Sequence, residues 1–96
     1  MKLIYCKQCH DVVRLWADEE RWCRCRQSGG RYINRVSAEY LGPCVPLGID
    51  NKSLARVVQL WTKYGTPNYH VSICDSFQFE AFVIDDDCST FKRVER

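Results

Sequence analysis

Two close cysteine pairs constrain this chain more than any other feature of it. Cys6-Lys7-Gln8-Cys9 is followed, after thirteen residues, by Cys23-Arg24-Cys25. Pairs at this separation offer four soft thiolates to one tetrahedral site, the pattern of a structural zinc. Cys6, Cys9, Cys23 and Cys25 are the expected ligands of one structural Zn2+. Metal binding adds directly to folding free energy, which matters in a 96-residue chain with a modest core. His10, next to the first pair, is a legitimate alternative to one of the sulfurs. An exposed or hydrogen-bonded histidine is the simpler reading of it.

The flanking residues suggest how the pairs are held. Leu3-Ile4-Tyr5 is a short strand into the first pair, and Val12 to Trp16 is a strand leaving it. Ala17 to Glu20 is a polar turn, and Arg21 to Cys25 returns to the metal. Two hairpin-like segments on one metal make a zinc ribbon or a close variant. The second pair is tighter than the usual C-x2-C, and Arg26 follows it where a glycine would ease the turn.

Beyond residue 36 the metal pattern ends. Arg31 to Val36 alternates like a strand, and Ser28-Gly29-Gly30 before it reads as a turn. Tyr40 to Ile49 carries two prolines and two glycines, which permit at most an edge strand or an irregular crossing. A helix is expected over 52–64, capped by Asp50 or Asn51 and closed by Gly65 and Pro67. Leu54, Val57, Val58, Trp61 and Tyr64 follow helical spacing and should form its buried stripe. Residues 70–74, 77–84 and 90–94 read as three antiparallel strands, with Asp75-Ser76 and Asp85-Asp86-Asp87 as turns. The expected fold is α+β: a zinc-ribbon-like lobe over 1–36, joined to a small antiparallel sheet with one packed helix over 37–96. The two parts should form one compact unit.

A resemblance appears at this point. The string from Cys6 through Cys9-His10-Asp11-Val12-Val13-Arg14-Leu15 continues as Trp22-Cys23-Arg24-Cys25-Arg26-Gln27-Ser28-Gly29-Gly30-Arg31-Tyr32. Tyr40-Leu41-Gly42-Pro43 and Pro46-Leu47-Gly48-Ile49-Asp50-Asn51 complete it. It resembles small uncharacterised bacterial and phage proteins of zinc-ribbon type, over roughly the first 55 residues. Those proteins carry Cys-Gly where this chain has Cys25-Arg26. The resemblance implies a phage or bacterial origin and brings no catalytic residues. Phage proteins of this size often bind and disable a host component.

Charge is distributed unevenly. Residues 1–35 carry eight Lys/Arg against four Asp/Glu, while residues 36–96 carry six against eight, within a net charge of only +2. Arg21, Arg24, Arg26, Arg31 and Arg35 occupy a stretch without an acid, together with Trp22 and Tyr32. Guanidinium groups pair with phosphate and aromatic faces stack on bases. The backbone of Ser28-Gly29-Gly30 offers N–H groups to an oxyanion. These seven side chains are the candidate ligand-binding set, with Arg24, Arg26 and Arg31 as phosphate clamps and Trp22 and Tyr32 as stacking platforms. The competing reading is a solvated surface whose arginines offset the charge of four thiolates. Gly48 to Ser53 at the helix start is a weaker anion site, because capping already explains Asn51 and Ser53.

Enzymatic signatures are missing from the sequence. It contains no nucleophile elbow, P-loop or metalloprotease motif, and only two histidines. Four residues apart on one strand, His70 and Cys74 are too distant for a nucleophile–base pair. The acidic run 85–87 lacks the ligand spacing of an oxygen cage for Mg2+ or Ca2+. Cys44, Cys74 and Cys88 read as small buried residues, and the acids before Cys88 should raise its thiol pKa. An odd count of seven cysteines, with no apolar stretch resembling a leader or a span, fits a reducing, cytoplasmic setting.

The sequence therefore points to a non-enzymatic zinc-containing binding protein. Its expected partner is a phosphate-bearing, nucleotide-type ligand, such as a sequestered signalling nucleotide. The alternatives are an adaptor or inhibitor that binds a host protein, and a single-stranded nucleic-acid binder. The small net charge argues against long duplex DNA, and no membrane partner is expected.

Overall fold

The computed structural model of the chain describes residues 1–65, 77–85 and 88–95. In order these form β1 (Lys2–Cys6), β2 (Val12–Arg14), β3 (Arg21–Trp22), β4 (Gly29–Tyr32), β5 (Ala38–Leu41), β6 (Cys44–Ile49), α1 (Asn51–Tyr64), β7 (Ala81–Val83) and β8 (Phe91–Arg93). The fold is α+β, with two small sheets and one helix among the described residues. The strand expected over 70–74, which holds His70 and Cys74, lies outside the described residues, as do Asp86 and Asp87.

Two four-stranded sheets, in the orders β2-β1-β6-β7 and β3-β4-β5-β8, contribute to one core. β1 pairs antiparallel with β2 (Ile4 opposite Val13) and with β6 (Ile4 opposite Pro46). β4 pairs antiparallel with β3 and β5, placing Gly30 between Arg21 and Tyr40. Alternation decides which side chains go inward. Ile4, Cys6, Val13 and Cys44 come from one sheet, and Ala38, Tyr40 and Phe91 from the other. The Tyr40 and Phe91 rings meet edge-on at 4.9 Å, a geometry worth about 0.5–1.5 kcal/mol beyond simple burial. Arg93 caps this pair by stacking over Tyr40 and donating to the carbonyls of Gly42 and Cys44.

Beyond the second cysteine pair, the strands differ from those the sequence suggests. β6 is a six-residue strand between β1 and β7, more than an edge crossing. Pro46 is tolerated there because its carbonyl accepts from Ile84 N–H (2.9 Å), so its missing N–H also faces away from the β1 ladder. The strand expected over 31–36 begins earlier and stops at Tyr32. Beyond it, the Asn34 side-chain oxygen accepts from Val36 and Ser37 N–H and folds the chain back. The tail strands join different sheets: β7 extends the first, and β8 runs parallel to β5 in the second. Finally, the boundary placed at residue 36 falls inside the β4–β5 hairpin. The contacts instead group Met1–Gly48 with Phe82–Arg96, and set Ile49–Ala81 apart.

Within the second unit, α1 starts as its capping residues dictate. Asp50 accepts from the N–H groups of Lys52 and Ser53, and Gly65 (φ 79°) returns its N–H to Trp61 O at 2.7 Å. Gln78 to Glu80 tie to its first turns through Arg56, Ser53 and Asp50. The expected buried stripe is not buried. Leu54 and Val57 are half-covered, whereas Val58, Trp61 and Tyr64 are 52, 57 and 67% exposed. Helical periodicity marks an apolar face without supplying a surface to cover it.

Candidate metal centre

Each cysteine pair sits in the turn of its own hairpin. Cys6 ends β1 and Cys9 follows before β2, whereas Cys23 and Cys25 lie between β3 and β4. The two turns share one device. His10 N–H donates to Cys6 O (2.8 Å), and Arg26 N–H donates to Cys23 O (3.0 Å). The residue after each pair, His10 or Arg26, takes a left-handed φ of 62°. A glycine adopts this conformation freely, and another residue pays about 1–2 kcal/mol for it.

The hairpins meet sulfur to sulfur. All four Sγ atoms lie within 4.8 Å of one another. Cys25 Sγ is 3.7 Å from that of Cys6 and 3.5 Å from that of Cys23. All four cysteines are free thiols, so the cluster is a set of ligands that can hold a metal ion. His10 is not among them. Its Nδ1 is hydrogen-bonded to the Tyr5 hydroxyl at 2.6 Å, on the surface.

Two further residues fasten the cluster. The Asp11 carboxylate accepts from Arg24 N–H (2.9 Å), and its carbonyl accepts from Cys6 N–H (2.9 Å), so one residue bridges the turns. Ser28 is fully buried and donates twice to sulfur: N–H to Cys23 Sγ at 3.4 Å, and Oγ–H to Cys6 Sγ at 3.3 Å. Neither role is legible in the sequence, because an aspartate near a cysteine pair and a serine before two glycines look like turn residues.

These surroundings divide the thiols. Cys6 is lowered to about 6 by the Cys9 N–H and then the Ser28 hydroxyl. Cys9 is also lowered, chiefly by the Cys25 N–H. Cys25 is pushed up to about 12: Gln27 N–H pulls it down, but burial and the sulfurs of Cys23, Cys9 and Cys6 outweigh it. The cluster alone therefore retains a proton that a cation would replace.

The remaining described cysteines differ from each other. Cys44 is buried beside the cluster, donates to Leu41 O at 3.5 Å, and is raised by desolvation. Cys88 is lowered, contrary to the effect expected of its acidic neighbours, because the Thr90 hydroxyl and the N–H groups of Thr90 and Phe91 stabilise its thiolate.

The structure does not gather the arginines into one cluster. Arg24 and Arg26 are exposed on the second cysteine turn, Arg31 lies outward on β4, and Arg35 is in the turn beyond β4. Arg21 stacks on Trp16 at 4.2 Å, and its partner Gly30 lies on the opposite face from Arg31. The register places Glu39 between Arg31 and Lys92 on one face, so Arg31 has a local counter-charge. Tyr32 accepts from Lys2 N–H at 3.0 Å, and Trp22 packs over Gly29, so both aromatics already serve the fold. Ser28-Gly29-Gly30 is not an open anion nest. A Cβ on Gly30 would come within 2.4 Å of Glu39 O, so this glycine permits close strand packing. At the helix start, Asp50 already occupies the N–H groups that an anion would need.

A recess of about 490 Å3 opens beside the second turn, lined in part by Gln27, Gly42, Pro43, Arg93 and the acidic Glu95. No helix among the described residues is long and apolar enough to cross a membrane. No protein-family model matches the chain, and no curated protein or solved structure is significantly similar to it.

Proposed function

We propose that this chain is a non-enzymatic, zinc-containing binding protein. Zinc suits the donor set. With Zn–S bonds of about 2.3 Å, a tetrahedral S4 site has S···S edges of ~3.8 Å. The Cys6–Cys25 and Cys23–Cys25 separations of 3.7 and 3.5 Å are close to this. Four sulfurs leave no open position on the ion, which supports a structural rather than a catalytic metal. Zinc would fasten the β1–β2 hairpin to the β3–β4 hairpin, and the exposed second turn would be the contact surface.

The observation that carries the binding reading is Arg26. It holds a left-handed φ of 62°, at the position glycine fits without strain, and its side chain is exposed. His10 in the matching position is fastened to Tyr5. Among the described residues Arg26 has no such structural partner. A strained residue with an outward guanidinium is best explained by what it binds. Arg24, exposed beside it on the same turn, suits a phosphate-bearing ligand of nucleotide type. Arg31 on β4 and Arg35 in the turn beyond it lie further from the cluster and suit the extended backbone of a single-stranded nucleic acid instead.

The test is titration calorimetry of the zinc-loaded chain with ATP, GTP, a cyclic dinucleotide and a short single-stranded oligonucleotide. The Arg24→Ala/Arg26→Ala variant should abolish binding while keeping one zinc per chain. Equal affinity in the variant, or no binding of any probe, would refute the anion site. The exposed Val58, Trp61 and Tyr64 favour a second reading, a protein-interaction adaptor, since aromatic residues dominate interface energetics. A nuclease-resistant partner that is released by Trp61→Ala would establish it.

A further inference from the structure

Cys44 is the one described cysteine beside the cluster that the metal reading leaves unused. The antiparallel register of β1 and β6 sets it directly opposite Cys6. Cys6 N–H is spent on Asp11 O and Cys44 N–H on Gly42 O, so neither joins the β1–β6 ladder at this point. A pair of this kind brings Cα atoms to about 4.5 Å, within the range a disulfide spans. Both side chains are buried in the same core, at 0 and 2% exposure. The Ser28 hydroxyl donates to Cys6 Sγ and lies near enough to Cys44 to influence its thiol, so the two sulfurs share one neighbour.

From this juxtaposition we propose that Cys6 and Cys44 form a redox site: oxidation by a hydroperoxide links them as a cross-strand disulfide and releases the metal. The proposal rests on the zinc reading for its second half only. Peroxide oxidises the Cys6 thiolate to a sulfenic acid, with its other oxygen leaving as hydroxide. The Cys44 thiol then attacks the sulfenic sulfur, the S–O bond breaks, the S–S bond forms and water departs. Two electrons pass from the two sulfurs to one peroxide. With Cys6 in the disulfide, only Cys9, Cys23 and Cys25 would remain to hold a zinc ion, and the weaker ligand set would favour its release. Reduction of the disulfide restores the fourth ligand, so the change is reversible. The linkage joins β1 to β6 in register, which leaves the first sheet intact while the hairpins lose their metal clasp.

The chain is suited to a direct test. Trypsin cuts after Lys7 and Arg24, placing Cys6, Cys9, Cys23 and Cys25 on separate peptides, with Cys44 on the peptide 36–52. The zinc-loaded protein is treated with hydrogen peroxide, quenched by alkylation and mapped by mass spectrometry, with released zinc followed by a chromophoric chelator. The expected major product joins peptide 3–7 to peptide 36–52, in proportion to the zinc released, and both changes reverse with reductant and added zinc. Cys44→Ala should load one zinc, yield no such peptide and fail to recover zinc after reduction, because Cys6 oxidises further. A major Cys6–Cys9, Cys6–Cys25 or Cys23–Cys25 product in the wild-type chain overturns the proposal, whether or not the variant folds. A chain purified without zinc that still gives the Cys6–Cys44 peptide supports the redox pair while removing the zinc reading.

Discussion

Replacing Ser28 by alanine tests whether the cluster is a metal site with a designed surround. The hydroxyl donates to Cys6 Sγ at 3.3 Å from a residue with no exposed surface, so no water can take its place. A hydrogen bond to a charged acceptor contributes about 1.5–3 kcal/mol. At 1.4 kcal/mol per factor of ten, this is a loss of roughly 10–100-fold in zinc affinity. Removing an outer-shell partner of a metal ligand typically has that effect. The backbone N–H to Cys23 survives the substitution, so the fold should persist. Zinc affinity is read by competition with a chromophoric chelator, and thermal unfolding is followed with and without EDTA. The variant should melt lower than wild type when zinc-loaded, with a smaller difference in EDTA. A folded variant whose zinc affinity stays within about threefold of wild type would refute the reasoning, since a lost charged hydrogen bond carries more than that.

Four other outcomes are expected. Arg26→Gly relieves about 1–2 kcal/mol of left-handed strain but loosens the unfolded chain by about 0.4–1 kcal/mol. It should therefore match or exceed wild-type stability while weakening ligand binding, as thermal melts and calorimetry would register together. Gly42→Ala combines a φ of 97° with a Cβ placed 2.0 Å from Gln27 O, so strain and overpacking together should cost roughly 3 kcal/mol or more. Gly65→Ala, whose Cβ meets nothing within 4 Å, should cost about 1–3 kcal/mol from backbone strain alone, because φ 79° with ψ −158° is a region glycine occupies almost exclusively; urea titrations of both variants would compare the two losses. In EDTA, Cys6 at about 6 contributes stability that is full above the ordinary thiol value of 9.0 and is lost as pH falls through 6. Cys25 at about 12 contributes the opposite way, with stability lost as pH rises from 9.0 through 12. Urea midpoints of the metal-free chain should therefore peak near pH 9; a midpoint that declines steadily from pH 6 to 9 would contradict these assignments.

The four-cysteine cluster was legible because close pairs act locally. Two close cysteine pairs need only short turns, and the chain brings Cys6, Cys9, Cys23 and Cys25 within reach of one ion. The α1 boundaries were legible for a similar reason. Asp50 and Gly65 act on N–H groups a few residues away, and those interactions do not depend on the remainder of the fold.

Tertiary structure decided everything that required one strand to find another. Nothing local to Pro46 indicates that its missing N–H faces β7, which is why a strand rich in proline and glycine can lie inside a sheet. The same pairing set Cys44 opposite Cys6 and sent β7 and β8 to different sheets. It also divided the arginines, since residues adjacent in sequence point to opposite faces of a strand. Sequence spacing thus determined which groups could hold a metal, through short-range geometry. Strand register, set by the joint burial of distant apolar residues, decided which neighbours those groups acquired.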